Sequence, residues 1–419
     1  MIAVQYFYSA CVSLTTPELS ILCDPWFTEG AYDGSWYHYP PFECPLKRIP
    51  DCRYIYISHI HPDHYDARFL KAYLSHHPNT QVIISDFKTN FLAAKMRADN
   101  IPHKIVTDLV EGETRVRLFN NESTEYDIDS ALVVVWRDQS VVNMNDNLFN
   151  VDQVQSILEY IGSSPTIALI GYTGAGPYPQ TYYEDPQVLE EKAEQKKTQF
   201  FARYKRMCNA LDAKINIPFA GKYILGGKLH GLNRFRGVAD ATEVLAFDCR
   251  AVVLADGGNA SIDTHALCAS DVRIQPYDPI DYENYGRTLS NRKMDYEEWF
   301  ERMPADAPPL KRLLPKAYKN ALARSACDTN YYFCIGLPGD EPNWFVCNAR
   351  KESCESRVAR EINLVVPRSE VYIDPRYLFG LITGVFHWNN AEVGSQYQCR
   401  RIPDKFNREA QAFLSFFQV

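Results

Sequence analysis

No apolar run in this 419-residue sequence approaches the roughly 18 residues that a membrane-spanning helix requires, and the longest candidates, such as Ala131–Trp136, have strand length. No membrane span is therefore expected. The N-terminus, MIAVQYFYSACVSL, lacks the basic residues that open a secretory signal and reads instead as a first strand. An excess of cations is missing as well: the formal net charge is −8, which argues against nucleic acid as a partner, because phosphate binding needs clustered Lys and Arg. There is no low-complexity tract and no fixed-period repeat, so neither disorder nor a solenoid is expected. The 12 cysteines are scattered without a paired metal spacing, and reduced thiols in a cytoplasmic protein are the simplest account of them. No Cys-x-His is matched by a Cys-x-x-His, so the sequence holds no Rieske iron–sulfur ligand set of its own.

What is present is the composition of a folded chain, 46% hydrophobic and 23% charged, long enough for one large domain and a smaller one. Short β-rich runs at Val4–Tyr8, Leu19–Cys23, Tyr54–Ser58 and Gln81–Ser85 come first, with a helical pattern at Ala67–His76 between the last two. Further strands fit Lys104–Thr107, Arg115–Phe119, Ala131–Trp136, Ser140–Asn143, Ile167–Ile170 and Lys214–Ile217. Helices fit Val151–Ile161 and Pro186–Leu211. Strand clusters alternating with helices predict an α/β layered architecture, two sheets with helices on their outer faces. The texture changes near residue 270 to a segment rich in Pro, Tyr and charge. The expected organisation is a first domain over 1–270, a linker over 271–308 and an α+β domain over 309–419. Within the last, the aromatic stretch Val371–Asn390 is expected to be core and His387 structural.

The chemistry concentrates in "SHIHPDHYD", residues 58–66, directly after the apolar run "YIYI". A strand ending in such a turn can converge His59 and His61 on one metal ion and turn Asp63 and His64 toward a neighbouring one. Asp63 and Asp66 also suit the cap of the following helix, but capping does not explain three histidines. Asp146, in "VVNMNDN" after two strand-like runs, is either a metal-binding carboxylate or a turn residue. The glycine-rich "GYTGAGPYPQTYY", residues 171–183, lacks the Gly-x-Gly-x-x-Gly pattern of nucleotide sites. It is either an active-site loop or a turn-rich connector. Trp26, Tyr32, Trp36, Tyr37 and His38 either wall a substrate pocket or are ordinary packing. His76, His77 and His103 are expected to be structural or exposed.

The His-x-His-x-Asp-His pattern after an apolar strand resembles the signature of the metallo-β-lactamase superfamily. Within it, the segments "CDPWFTEGAYDGSWYHYPP", "YISHIHPDHYD", "STEYDIDSALVVVW", "VVNMNDN" and "NIPFAGKYILGGKLHG" are similar, in order over about residues 19–240, to the catalytic domain of CMP-N-acetylneuraminic acid hydroxylases. The resemblance implies an αββα sandwich with a one- or two-metal site, Asp146 bridging the ions, and a final ligand at His230, whose offset from "IPFAG" differs by a few residues. His230 could equally assist substrate from the surface. The family pattern expects a histidine where this chain has Glu125, with Asp127 and Asp129 as rivals for the same role. A carboxylate there hardens the site and favours iron or manganese over zinc.

Two chemistries follow from the resemblance. In the first, two Fe ions held by His59, His61, Asp63, His64, Glu125, Asp146 and His230 support hydroxylation of a small polar molecule, such as a nucleotide sugar. Electrons then come from a separate reductase or ferredoxin. In the second, the same residues hold Zn, Mn or Fe as Lewis acids for hydrolysis of a lactone, phosphoester or amide, with Asp63 orienting the water. A metal-stabilised binding protein is the third class, and the aromatic C-terminal domain offers a surface for a homodimer.

Overall fold

Runs such as "ALVVVW", residues 131–136, are apolar at every position, which suits a strand covered on both faces. The computed structural model, which describes residues 1–42, 49–121, 128–339, 343–363 and 366–419, puts them there. Two sheets stack face to face. In the first, the strands run in the order Ala260–Asp263, Ala3–Tyr8, Cys11–Thr15, Ser20–Cys23, Tyr54–Ile57, Gln81–Ile84, His103–Ile105. In the second the order is Ile215–Phe219, Ile167–Gly171, Gln139–Asn143, Ser130–Trp136, Thr114–Asn120, Asp108–Glu111. The N-terminal segment expected as one strand is an antiparallel pair, Ala3–Tyr8 with Cys11–Thr15, and Ser9 at its turn takes a left-handed φ of 49°.

Strand alternation sorts the side chains into layers. Leu132 and Val134 face inward with Val116, Leu118, Leu169 and Ile217, against Val4, Val12, Leu14, Ile21 and Ile83 of the other sheet. Val133 and Val135 face outward, onto Val154 and Ile157 of the helix Val151–Ile161 and Tyr204, Met207 and Leu211 of the helix Pro186–Leu211. The outer face of the first sheet packs Ile55, Ile57, Val82 and Ile84 on Phe69, Leu70 and Tyr73 of the helix Ala67–His76, and on Leu92 and Met96 of Phe91–Ala98. Each such side chain contributes about 1.5–3 kcal/mol by leaving water. The result is the αββα sandwich expected from the sequence.

The C-terminal part adds a five-stranded sheet in the order Ser356–Ala359, Asn343–Asn348, Tyr332–Leu337, Arg368–Tyr372, Gln398–Ile402, with the helices Leu310–Arg324, Pro375–Ile382 and Arg408–Ser415. Tyr377, Leu378, Leu381 and Trp388 of the aromatic stretch are buried there, and the ring of His387 caps the helix Trp388–Val393. This core is continuous with Trp26, Tyr32, Trp36, Tyr223 and Leu225 of the sandwich. The stretch 271–308, expected as a linker, carries the helices Pro279–Thr288 and Asp295–Trp299 and buries Met294 and Tyr296 in that same core.

Candidate metal centre

Parallel strands end together, so whatever follows them gathers along one edge of the sandwich. Ser20–Cys23 and Tyr54–Ile57 are parallel in one sheet, as are Gln139–Asn143, Ile167–Gly171 and Ile215–Phe219 in the other. The residues that follow them are Asp24, then Ser58–His64, then Asn145 and Asp146, then Thr173, and finally Ala220 and Gly221. Ser9, Asp24, Tyr32, Asn145 and Ala220 all take left-handed φ values, 49°, 42°, 56°, 51° and 53°. Non-glycine residues adopt that region at a cost, and such strain collects at functional sites.

His59, His61 and Asp146 each present a donor atom, and these atoms lie within 4.8 Å of one another. The ring of His59 faces Ser58 Oγ at 2.9 Å and Asp129 Oδ1 at 3.4 Å through Nδ1, so its Nε2 points into the group. Asp129 thus serves as an outer partner of a histidine. His61 donates from Nε2 to the Asn389 amide oxygen at 2.9 Å, which leaves Nδ1 as the lone pair, 2.8 Å from His59 Nε2. Asn389 belongs to the C-terminal part, more than 300 positions away in sequence. Outer hydrogen bonds of this kind fix the tautomer and orientation of metal-binding histidines.

Asp24 organises the other half. Its fully buried carboxylate accepts from Ser58 N at 2.7 Å and meets His64 Nδ1 at 3.0 Å. His64 Nε2 is then left buried without a hydrogen-bond partner, 3.6 Å from Asp63 Oδ2 and 3.5 Å from Asp146 Oδ2. Tyr32 donates its hydroxyl to Asp63 Oδ1. Asp66, by contrast, caps the helix Ala67–His76 through Phe69 N and also accepts from Phe27 N and Thr28 N.

The electrostatics follow. Burial opposes a charge on His64, yet Asp63, Asp146 and Asp24 hold its pKa well above the ordinary value. Burial and the imidazole of His64 oppose a charge on His59, but Asp129 and Asp146 raise it overall. Burial and His59 push His61 down to about 4. Asp146, whose side chain is 42% exposed at the edge of the group, has its desolvation outweighed by His64, His59 and His61 and stays well below the usual carboxylate range. An orphaned imidazole nitrogen, two lone pairs turned toward each other and several converging carboxylates form a donor set that a divalent cation satisfies. The residues present fit one ion between His59, His61 and Asp146, and a second between His64, Asp63 and Asp146.

Glu125 and Asp127 lie outside the described residues. His230 sits on the 3-10 segment Gly227–Phe235 with Nδ1 on the Gly227 carbonyl, 3.1 Å away, and is not brought to the group. The strand Ile215–Phe219 instead delivers Ala220 and Gly221 to the cavity, neither of which has a donor side chain. His76 caps its own helix end and His103 bonds the Ile101 carbonyl. No disulfide joins the described cysteines. Among the described residues, no helix is long and apolar enough to cross a membrane.

A cavity of about 270 Å³ opens over the metal group, lined by Trp36, Asp63, Asp146, Asn147, Thr173, Phe200, Arg203 and Tyr223 among others. Trp36 and Tyr223 stack at 3.3 Å. The glycine-rich loop splits in role: Gly171, Thr173, Gly174 and Ala175 border the cavity, while Thr181 holds Cys399 N of the C-terminal sheet through its carbonyl.

Sequence comparison agrees with this architecture. Residues 3–149 match the family model of the beta-lactamase superfamily domain. A Mycobacterium tuberculosis protein named for a Rieske 2Fe-2S iron–sulfur centre is 26% identical over 220 residues, 50% of this chain and 41% of its own length. The cytidine monophosphate-N-acetylneuraminic acid hydroxylase of Pan troglodytes is 22% identical over 235 residues, 53% of this chain and 38% of its own. The chain thus spans about two fifths of the length of these curated relatives. Among solved structures, a protein of Veillonella parvula described as a possible metal-dependent hydrolase overlaps 62% of this chain and 99% of its own, at 14% identity and a TM-score of 0.43. The matched region ends before Thr173, Arg203 and Asn389, so it covers the histidine-rich turn and Asp146 but only part of the cavity.

Proposed function

We propose that the chain is a dinuclear non-heme iron oxygenase that hydroxylates a small polar substrate with dioxygen, using electrons from a separate reductase or ferredoxin. The observation that carries this reading is the pair of donor groups that share Asp146: His59 and His61 on one side, His64 and Asp63 on the other. Similarity to a CMP-N-acetylneuraminic acid hydroxylase supports hydroxylation and suggests a nucleotide sugar as the substrate class. Glu125 completes the first group in this reading, while His230 has no part in it.

Two ferrous ions, when bound, supply the reduction of dioxygen. The chain's own residues do the rest. Asn389 and Asp129 hold the rings of His61 and His59 so that their lone pairs face inward. Asp24 keeps the His64 proton on Nδ1 and frees Nε2. Tyr32 fixes one oxygen of Asp63 and leaves the other toward Asp146's side of the cavity. Trp36, Tyr223 and Phe200 shield the cavity from bulk water and orient the substrate.

A hydrolytic reading is favoured by one specific feature, the Asp63 carboxylate lining the cavity. There it can accept a proton from an attacking water. The deciding experiment is purification without oxygen from cells supplied with both iron and zinc, followed by metal analysis and Mössbauer spectroscopy. Two irons per chain that consume dioxygen after reduction are expected. Tightly held zinc, or iron inert to oxygen, would overturn the oxygenase reading in favour of the hydrolytic one.

A further inference from the structure

The cavity is lined by both acidic and basic groups, and only the acidic ones are explained by metal. Arg203, on the helix Pro186–Leu211, lines the same cavity as Asp63 and Asp146. It is half-buried, makes no ion pair or hydrogen bond with any described residue, and rests on the ring of Phe200 at 4.8 Å. Burial and the nearby Arg206 draw its pKa down. A guanidinium removed from water without a counterion is costly, and such a group in a concave site is normally completed by a ligand.

The neighbouring loop is shaped to the same end. A Cβ on Gly174 would lie 1.9 Å from Phe200 Cζ, so only glycine lets that ring lie against the loop and support Arg203. A Cβ on Gly221 would lie 2.3 Å from Thr173 Cγ2, so glycine there takes up the threonine methyl. Thr173 is 8% exposed and borders the cavity, and its hydroxyl is buried without a partner. A buried hydroxyl left unpaired costs about 1–3 kcal/mol, which a ligand oxygen would recover. Arg203 and Thr173 are both donors, and they come from two elements of the second sheet's side that the metal group does not use.

We propose that Arg203 and Thr173 form an oxyanion-binding subsite that anchors the phosphate or carboxylate of the substrate and points its remainder at the metal group. The Arg203 fork takes two oxygens of the anion and Thr173 Oγ1 donates to one of them. This rests on the cavity being the active site, and holds for hydroxylation and hydrolysis alike. It narrows the substrate class to molecules carrying an oxyanion a cavity's length from the reacting bond.

The test is calorimetric titration of inorganic phosphate, and separately acetate, into the full metal-loaded chain, with metal content read on the same samples. At least one anion should bind the wild type. Arg203→Gln should weaken it tenfold or more and Thr173→Val severalfold, with metal content unchanged. Phosphate binding without acetate identifies a phosphorylated substrate, and the reverse identifies a carboxylate. Arg203→Lys, which keeps the charge but loses the fork, should fall between wild type and Arg203→Gln and serves if the latter fails to fold. Equal affinity in wild type and the Arg203 variants, or no binding of either anion to the wild type, would overturn the subsite. Oxygen-inert metal together with Arg203-dependent anion binding would instead sink the oxygenase reading and leave the subsite standing.

Discussion

The two sheets bring unequal halves to the site. From the first come His59, His61, Asp63 and His64 on a turn where nearly every polar atom is held: Asp24 by Ser58 N and His64, Asp63 by Tyr32, Asp66 by two backbone amides and the helix it caps. From the second sheet and the helix packed on it come Asp146, which faces the histidines, and Asn147, Thr173 and Arg203, which carry unpaired groups: Asn147 Oδ1, Thr173 Oγ1 and the Arg203 guanidinium. The difference separates two tasks. Ligands that bind a cation must be fixed before it arrives, whereas groups that meet a substrate stay unsatisfied until it does.

Breaking the rigid half should cost most. His59→Ala removes a donor from the centre of the group, and metal retention should fall by more than the about 10–100-fold expected for losing an outer partner; metal analysis after dialysis checks it. Asp146→Ala should release the second ion while circular dichroism stays native, and two ions still bound would remove Asp146 from its shared role. Asp24→Ala strands His64 Nδ1 and Ser58 N in the interior, and a loss of about 3–5 kcal/mol is expected in chemical denaturation. The contrast would collapse if that variant were as stable as Arg203→Gln, which lies on the open half.

Asn389→Ala tests whether the C-terminal part belongs to the rigid half. Freeing the His61 ring should weaken metal binding about 10–100-fold with little change in melting temperature, read by competition with a chelator. A further effect concerns the seam between the parts. Burial raises the Asp33 carboxyl to about 7 although the Tyr377 hydroxyl donates to it. Its folded pKa lies above the unfolded value, so its contribution is fully present below about 4 and is lost as pH rises through about 7. Unfolding free energy should therefore decline over that window, and Asp33→Asn should flatten the slope.

Much of this was legible in the sequence because the signals are local. The helices Ala67–His76 and Val151–Ile161 follow from apolar periodicity, and Pro186–Leu211 from a long charged stretch of helix-forming residues. The helix Phe91–Ala98 has only eight residues and a weak apolar face, too little for a periodic signal. The turn at Ser9, which breaks one apolar run into two strands, depends on a left-handed backbone that no residue there advertises. Asp24 had a readable sign, a carboxylate directly after an apolar strand, much as His59 did.

The sequence by itself determined the histidine-rich turn, since three histidines and an aspartate within six positions need only a strand end to converge. It also determined the layered α/β architecture, because alternating and fully apolar runs leave few ways to be covered. The tertiary structure alone decided which distant groups complete the site. Asn389 on His61 and Tyr32 on Asp63 are pairings between segments tens to hundreds of residues apart, Arg203 and Thr173 line one cavity from separate elements, and no local spacing encodes them. His230 shows the converse, a histidine in a promising sequence context whose 3-10 turn directs it to its own backbone.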